Sequence, residues 1–362
     1  MVNGAGPWGT GPYELIQGFS LPNQRAPIVV LEANQAYWDT TRRPRLKRIV
    51  FDNTLGQKEA VELVKNREGQ VDLVTGLSPL ETLRVAQSNF ATVVKSRGSL
   101  DTVFGRINMR KTGSPWQDVR LRQALNFSID RADLTRYAAK GNGAIIPALV
   151  PVSGFGYNPD LPPYPFDPEQ ARHLLRQAGY GNGLPLTLIA PEHLEVQASV
   201  VSKMIEQGGF TVQRLILDAV AYNRKTDLSH LDQPAEQQAW DIALSSISDL
   251  ANFPVFLIYH WFVLDGNDDW VMEQAELRHL YERVLGSVDP AQQQDWIRQM
   301  ERHTAEQAYL LFLYNPIALY AVNKAVDFVP YVNGVLNLAE TSVTEQHWSV
   351  RKQKATPNEQ KE

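Results

Sequence analysis

Apolar residues recur with helical spacing in several segments of the chain, and residues typical of helix ends bound these segments. One segment follows Asp118 and carries four apolar side chains on one face: Leu121, Ala124, Leu125 and Ile129. Another lies between Asp167-Pro168 and Gly179, where an aspartate N-cap, a proline in the first turn and a glycine past the end predict a complete helix. Similar spacing predicts further helices over 58–65, 78–86, 130–138, 196–207, 272–284 and 290–308.

Two of these helices are expected to turn particular side chains toward the core. In the helix that Ser78-Pro79 opens, the spacing predicts that Leu80 and Leu83 face inward. In the helix that Asp130 caps, the predicted inward residues are Leu134, Tyr137 and Ala138.

Short apolar runs alternate with the helices and predict strands over 13–16, 28–32, 49–51, 71–74, 186–190, 210–217 and 240–244. The strand–helix–strand unit from Leu186 to Leu217 favours a parallel pair. Ala308–Val322 is the longest apolar stretch, and Asn315-Pro316 interrupts it, so it predicts two strands joined by a turn rather than a membrane span. Residues 147–165 are rich in Pro and Gly and predict a long ordered loop or a linker. Because strands and helices alternate through most of the chain, the predicted class is α/β.

The composition excludes several kinds of protein. The chain has 362 residues, 35 Lys plus Arg against 40 Asp plus Glu, a formal net charge of −5 and no cysteine. Without a basic cluster it is not expected to bind nucleic acid, and without cysteine it has no disulfide, iron–sulfur cluster or thiolate metal site. The first residues lack the basic and apolar regions of a secretory signal, so no export signal is expected in this chain. Residues 351–362 are polar throughout and predict a frayed tail.

No catalytic motif accounts for the polar residues. The sequence has no G-x-S-x-G, G-x-x-x-x-G-K-[ST], H-E-x-x-H or G-x-G-x-x-G pattern. None of its seven histidines lies three or four residues from another, so no helical metal pair is expected and no cofactor is predicted. Asp268-Asp269 is interpreted as a solvated turn, and the glycosylation pattern Asn126-Phe-Ser128 is discounted because it falls inside a predicted helix. The chain is therefore expected to be a ligand-binding module rather than an enzyme.

Seven short motifs occur in a fixed order over residues 9–180. They are Gly9-Thr-Gly-Pro-Tyr13, Asn34-Gln-Ala-Tyr37-Trp38, Pro44 through Phe51, Gly69-Gln-Val-Asp72, the block from Asn108 through Arg131, Tyr157-Asn-Pro-Asp160, and Tyr164 through Tyr180. In this order they resemble the family 5 extracellular solute-binding proteins, which are the dipeptide, oligopeptide and nickel receptors of ABC importers. The resemblance extends to about Trp348 and becomes weaker after residue 190.

The resemblance implies an α/β fold of two lobes, periplasmic-binding-protein-like (type II, cluster C), with the ligand between the lobes. Lobe I would comprise 1–108 and 311–350, lobe II would comprise 109–310, and 351–362 would form a polar tail. The two crossings would lie near 104–111 and 311–320. The N-terminal part of lobe I has no counterpart in the sequence, so lobe I is expected to be incomplete. Three interpretations stay open: a fragment with a misassigned start, a natural remnant, or a short form that pairs with another chain.

The resemblance also implies ligand-binding residues, each with a structural alternative. Peptide-binding members carry an aspartate after the W-D-[MIV] strand that pairs with the α-ammonium of the ligand. Asp249 lies about there, although the neighbouring Trp and the D-P of the family pattern are absent, and its alternative is a loop-capping residue at a strand end. Four weaker candidates are Tyr222 as an aromatic lid or core residue, Asn108 as a ligand-bonding or hinge-bonding amide, Phe104 as a cleft or core residue, and Asn252 in the motif of Asp249.

An aromatic run provides one more candidate. Tyr259-His260-Trp261-Phe262 is interpreted as flanking a pocket or as a buried helix or strand face. His260 could serve a metal-chelate ligand, but it is a single histidine, so no metal site is predicted.

The leading functional hypothesis is the substrate-binding component of an ABC transporter, which binds a peptide or similar small solute and delivers it to a membrane permease. By resemblance, its location would be the periplasm or the extracellular face of the cell membrane. The alternatives are a ligand-sensing domain of a cytoplasmic transcription regulator and a non-functional fragment. A hydrolase is disfavoured because no nucleophile–base pair is visible in the sequence.

Overall fold

A computed structural model of the protein describes residues 4–6, 9–21, 24–255, 259–260, 263–264, 269–272, 274–336 and 338–355. The chain divides into two compact units. Unit 1 falls in residues 1–97 and 318–362, and unit 2 comprises residues 98–317. The expected lobe II, 109–310, begins 11 residues after unit 2 (109 against 98) and ends 7 residues before it (310 against 317).

The first part of unit 1 consists of short strands and two helices. These elements are β1 (Tyr13–Gln17), β2 (Ser20–Leu21), β3 (Gln24–Arg25), β4 (Ile28–Ala33), β5 (Arg48–Asp52), α1 (Gln57–Asn66), β6 (Leu73–Val74), α2 (Pro79–Ala86) and β7 (Ala91–Lys95). Strands β1, β4 and β5 form an antiparallel sheet in the order β1-β4-β5. The small strands β2 and β3 pair with each other.

Helix α2 begins as predicted, but it buries a different face. The Ser78 hydroxyl accepts the N–H of Glu81, and the Glu81 carboxylate accepts the N–H of Ser78, which makes a reciprocal capping box. The prediction for Leu80 and Leu83 is wrong, because these side chains are 58% and 64% exposed, whereas Val85 is buried. The helix has only eight residues and apolar side chains on two faces, so its spacing does not decide which face is covered.

Unit 2 contains the larger elements. They are β8 (Asp101–Ile107), α3 (Val119–Phe127), α4 (Arg131–Ala138), β9 (Gly143–Ile145), α5 (Pro168–Gln177), β10 (Leu184–Pro191), α6 (Glu195–Gln207), β11 (Phe210–Leu217), α7 (Ala219–Thr226), β12 (Ile242–Ser248), α8 (Ala275–Gly286), α9 (Pro290–Glu306) and β13 (Leu310–Pro316). Its described strands form a sheet in the order β11-β10-β12-β8-β13-β9. The predicted parallel pair is confirmed, since β10 and β11 run parallel from Leu184–Phe210 to Pro191–Leu217.

Aspartate caps define the helices of unit 2 where the sequence places them. Asp118, Asp130 and Asp167 each accept a backbone N–H from the first turn of α3, α4 and α5. The core assignments for α3 and α4 are confirmed except for Tyr137, which is 50% exposed. Residues 147–165 carry neither helix nor strand, which confirms the predicted loop.

After residue 317 the chain belongs to unit 1 again. The returning elements are β14 (Leu319–Asn323), β15 (Val326–Asp327), β16 (Ser342–Val343) and α10 (Trp348–Ala355). The prediction of two strands over 308–322 is confirmed, but β13 belongs to the sheet of unit 2, whereas β14 lies between β6 and β7 in unit 1. The expected frayed tail is helical to Ala355, and residues 356–362 lie outside the described residues.

The motif block from Asn108 through Arg131 contributes buried polar contacts inside unit 2. Arg131 is buried, and its guanidinium donates to the carbonyl oxygens of Phe312 (3.0 Å) and Tyr164 (3.0 Å). It also donates to the main-chain oxygen of Asn126 (3.1 Å) and to its Oδ1 (2.9 Å). Asn126 has no exposed surface and donates to the carbonyl of Leu310, which agrees with discounting the glycosylation pattern. These side chains satisfy backbone groups where helices meet the sheet, since buried polar groups need partners.

Candidate functional site

Asp249 follows the C-terminal end of β12 and is buried with one carboxylate oxygen unpaired. The residue has no exposed surface. Its Oδ1 accepts the N–H of Phe253 at 3.1 Å, whereas its Oδ2 has no hydrogen-bond partner in the described part of the chain. Burial raises the pKa of this carboxyl above its ordinary value, because the loss of water disfavours the ionised form. A buried carboxylate oxygen without a donor is available to a cationic group that reaches it.

Asn252 shapes the loop that carries Asp249. Its backbone adopts a left-handed conformation with φ of 50°, which asparagine tolerates better than most residues, and its N–H donates to the carbonyl of Asp249 at 2.9 Å. Its side-chain oxygen accepts the N–H of Phe155 at 2.9 Å, and the rings of Phe155 and Phe253 lie 6.1 Å apart. Asn252 therefore ties the Asp249 loop to the loop of residues 147–165.

Asp249 bonds to the segment through which the chain enters unit 2, and this segment in turn bonds to the segment through which the chain leaves it. Its N–H donates to the carbonyl of Leu100 at 2.9 Å, three residues after the end of unit 1 at Arg97. The side chain of Asn315, just before the exit at residue 317, donates to the carbonyls of Ser99 (3.2 Å) and Asp101. Asp249, the residue predicted to bind the ligand's ammonium group, is therefore bonded to the first residues of unit 2.

Asn108 lies at the opposite end of the sheet from Asp249. β8 and β12 pair antiparallel from Ile107–Ile242 to Asp101–Ser248, so the seven residues of β12 separate the two sites by roughly 23 Å. The Asn108 amide donates to the carbonyl of Trp240 (3.0 Å) and accepts the N–H groups of Arg110 and Lys111. These bonds use both ends of the amide, so the structure favours the structural alternative for Asn108.

Tyr222 lies on α7, a helix that the sequence did not predict. It is buried, and its hydroxyl donates to the carbonyl of Leu244 at 2.5 Å and accepts from the Arg106 guanidinium at 2.8 Å. The Arg106 guanidinium also donates to the Ser245 hydroxyl at 2.8 Å and lies 5.5 Å from the centre of the Tyr222 ring. An aromatic lid would need an exposed ring, so the structure favours a core role for Tyr222.

Of the remaining candidate residues, some lie in the core and others lie outside the residues that the structure describes. Phe104 lies in the middle of β8 with no exposed surface and belongs to the main core of unit 2. In the aromatic run, Tyr259 is buried, His260 is half-buried, and Trp261 and Phe262 lie outside the described residues. Asp269 is buried and forms an ion pair with Arg110 at 3.2 Å, which corrects its interpretation as a solvated turn; Asp268 lies outside the described residues.

Sequence reasoning missed two buried polar groups near this region, Arg106 and Glu301. Arg106 interrupts the apolar strand β8, and Glu301 lies four residues after Ile297 on the apolar face of α9. A charged residue inside an apolar pattern was the available signal in both cases. A surface cavity of about 490 Å3 lies beside Arg110 and Asp269, and none of the five predicted ligand-binding residues lines it.

Comparison with known proteins identifies the family. Residues 3–269 match the family model described as bacterial extracellular solute-binding proteins, family 5 Middle. The chain belongs to this family. The predicted resemblance is therefore confirmed, and the family is one of solute-binding proteins rather than of enzymes.

Individual relatives of this family 5 chain are named for peptide ligands. It is 28% identical over 184 residues to the dipeptide-binding protein of Escherichia coli (strain K12), covering 51% of this chain and 32% of the relative. It is 27% identical over 267 residues to the glutathione-binding protein GsiB of Pectobacterium atrosepticum, covering 74% of this chain and 46% of the relative. The chain thus spans about a third to a little under half of the length of these curated relatives.

Solved structures confirm the fold class. The periplasmic binding protein DppA from Helicobacter pylori, in complex with the peptide STSA, matches with a TM-score of 0.71 at 19% identity, over 92% of this chain and 63% of that chain. The substrate-binding protein CtaP from Listeria monocytogenes matches with a TM-score of 0.76 at 18% identity, over 93% and 67%. At such identities the likeness concerns the fold.

In the ranges that the structure describes, no helix combines the length and apolar character needed to cross a bilayer. The same residues contain no group of three or more His, Cys, Asp or Glu side chains placed to bind a metal ion.

Proposed function

We propose that this family 5 chain binds a peptide-like solute through the solute's ammonium group, with Asp249 as the anion that receives it. The observation that carries the proposal is the unpaired, fully buried Oδ2 of Asp249. A buried carboxylate oxygen without a partner is costly for the free protein, and an ammonium group would supply both a counter-charge and a hydrogen-bond donor. Relatives named as dipeptide-binding and glutathione-binding proteins support an amino-bearing peptide as the ligand class.

The same proposal extends to the partner and the location. A solute-binding protein of this family would pass its ligand to the permease of an ABC importer, at the periplasmic or extracellular face of the cell membrane. The family match and the names of the relatives support this role, which makes the chain a carrier rather than a catalyst.

The test is titration calorimetry with the 362-residue chain and three probes: the dipeptide Met-Leu, the tetrapeptide Ser-Thr-Ser-Ala and glutathione. Asp249→Asn keeps an oxygen for the Phe253 N–H but removes the charge. We expect it to weaken binding roughly 10- to 100-fold, because hydrogen bonds to charged groups contribute about 1.5–3 kcal/mol. The control is Asp295→Asn on α9, whose side chain is 70% exposed and which should bind like the wild type.

Acetylation of the probe tests the same contact from the ligand side. Acetyl-Met-Leu has no ammonium group, so its affinity for the wild type should fall to that of Met-Leu for Asp249→Asn, and the variant should not distinguish the two peptides. The proposal fails if the wild type binds none of the three probes, or if Asp249→Asn and acetylation leave the affinity unchanged.

A further inference from the structure

Glu301 is a buried carboxylate that holds two separate segments of unit 2. It lies on α9 with no exposed surface. Its Oε1 accepts the N–H of Leu149 at 3.2 Å, and its Oε2 accepts the N–H of Val150 at 3.1 Å. Oε1 also accepts the hydroxyl of Tyr259, which is itself fully buried. One side chain therefore bonds both the loop of residues 147–165 and the segment that follows Asp249.

These two segments meet again at the candidate site. Asn252 accepts the N–H of Phe155 at 2.9 Å, six residues after Leu149 along the loop. In the other segment, Asp249 accepts the N–H of Phe253, six residues before Tyr259. The loop is also fixed to the start of β8, where the Thr102 hydroxyl donates to the carbonyl of Leu149 at 3.0 Å. Glu301 thus holds the far end of both segments, and Asn252 joins their near ends.

We propose that Glu301 is the positioning residue of the Asp249 site: by bonding the Leu149–Val150 backbone and Tyr259 together, it sets the arrangement of the two loops that meet at Asn252. The arrangement of the two loops is a property of the free protein. Its effect on ligand affinity rests on the function proposed above for Asp249.

Because Glu301 is titratable, its effect on the loops should depend on pH, which would not be so for a side chain that only fills space. No Lys, Arg or His among the described residues bonds to this carboxylate, and Tyr259 is the titratable group that faces it. Burial raises the pKa of Glu301 to about 7, although hydrogen bonds from Tyr259, Val150 and Leu149 oppose the shift. Above this pH the ionised carboxylate accepts all three donors. Below it, the carboxyl is neutral and its burial costs less, so the closed arrangement of the two loops is more stable when Glu301 is protonated.

Hydrogen exchange on the free 362-residue chain tests the arrangement without any ligand. We expect the protection factors of the Leu149, Val150 and Phe155 amides to fall about tenfold from pH 6 to pH 8 in the wild type, because the closed arrangement binds a proton that an opened, hydrated Glu301 releases. Glu301→Gln should lower them about tenfold at pH 8 and remove their dependence on pH. Glu306→Gln, at an exposed position on the same helix, is the matched control and should behave like the wild type.

Tyr259→Phe gives a second variant that keeps the carboxylate. It removes the donor from the Asp249 segment but leaves the bonds to Leu149 and Val150. We expect protection of the Phe253 amide to fall several-fold while that of Leu149 and Val150 is retained. If Glu301→Gln does not fold, the selective loss of protection in Tyr259→Phe still tests the proposal. Equal protection in Tyr259→Phe and the wild type at the amides of Leu149, Val150, Phe155 and Phe253 would overturn it.

Affinity for Met-Leu separates this inference from the function on which it rests. If Asp249→Asn weakens binding roughly 10- to 100-fold while Glu301→Gln changes neither exchange nor affinity, the positioning role is refuted and the proposed function stands. If Glu301→Gln loosens both loops but the wild type binds no probe, the arrangement is confirmed and the proposed function fails. Support for both requires that Glu301→Gln weakens binding at pH 8 and flattens the pH profile of the affinity.

Discussion

The two units differ in how they bury apolar side chains. In unit 2, one large cluster runs through the sheet and the helices on it and includes the fully buried Trp116 and Phe312, and a smaller cluster contains Trp240 and Trp270. In unit 1, the two clusters are both small, one with Val85 and the other with Val322, and other apolar residues such as Val30 are buried outside them. None of the described side chains of β1, β4 and β5 belongs to any of these clusters. Unit 2 therefore has the large apolar core of an ordinary domain, whereas unit 1 buries its apolar side chains in small separate groups.

The units also differ in how the chain builds them. Unit 2 is contiguous, while the central strand β14 of the sheet β6-β14-β7 reaches unit 1 only after the 220 residues of 98–317. Closing such a long loop costs conformational entropy before the strand pairs. Unit 2 also buries charged groups such as Arg131 and Glu301, whereas the ion pairs of unit 1 are mostly exposed. Substitutions should accordingly have large effects in unit 2 and smaller, more local effects in unit 1.

The largest expected effect is at Arg131. Arg131→Met keeps most of the side-chain volume but removes the guanidinium donor from the carbonyls of Phe312 and Tyr164 and one of two donors from the carbonyl of Asn126. Because each buried unsatisfied group costs about 1–3 kcal/mol, we expect unit 2 to lose about 3 kcal/mol or more of its free energy of unfolding. Urea unfolding followed by tryptophan fluorescence would measure the loss.

Two exposed arginines provide controls for this experiment. Arg136→Met on the same helix and Arg84→Met in unit 1 have side chains that are 65% and 56% exposed, and each should change stability by less than about 0.5 kcal/mol. A loss for Arg131→Met as small as in these controls would mean that the buried network contributes little to unit 2, and the contrast between the units would be wrong.

The second effect concerns pH and is expected above pH 4.5 in unit 2, where Glu301 titrates. The raised pKa of Glu301, about 7, means that folded unit 2 binds a proton between the ordinary pKa of 4.5 and pH 7 that the unfolded chain has released. The stability of unit 2 should therefore fall as the pH rises through this window, by on the order of 3 kcal/mol. Glu301→Gln should abolish this dependence.

The carboxyls of unit 1 shift the other way. Hydrogen bonds from Thr41, Thr54 and Lys65 lower the pKa values of Asp39, Asp52 and Glu62, so their contribution is present above the ordinary pKa values and is lost on acidification. Because that loss begins only near the ordinary pKa values of 3.8 and 4.5, lowering the pH from 7.5 to 5 should stabilise unit 2 through Glu301 and leave the contribution of these unit 1 carboxyls unchanged. Thermal melts of the wild type and Glu301→Gln at both pH values measure this, and parallel pH profiles for the two proteins would contradict the assignment to Glu301.

Local chemistry explains which parts of the structure the sequence predicts. Helix ends such as Asp167 and the strand over 210–217 follow from capping residues and apolar runs, and both lie where predicted. Strand β12 extends beyond its apolar run to Ser248, because its backbone pairs with β8, which is distant in sequence, as far as Asp101. The Ser245 hydroxyl in this extension is bonded to Arg106 and Tyr222. The resemblance indicated Asp249, but its unpaired oxygen depends on the packing of two loops, which no local pattern specifies.

The smallest expected effect is at the C-terminal anchor of unit 1. The Oδ1 of Asp72 accepts Nδ2 of Asn323 (3.1 Å), Nε2 of His347 (3.1 Å) and Nε1 of Trp348 (3.0 Å), and so fastens α10 and β14 to the start of β6. Asp72→Ala should lower the stability of unit 1 by about 1–2 kcal/mol, because these donors lose a partly buried acceptor. Limited proteolysis should then cleave residues 348–355 several-fold faster, while unit 2 keeps its unfolding midpoint. Asp327→Ala, at an exposed position on β15, should leave both quantities unchanged. If Asp72→Ala instead lowered the midpoint of unit 2 as well, the two units would share their stability, and the contrast drawn here between them would not hold.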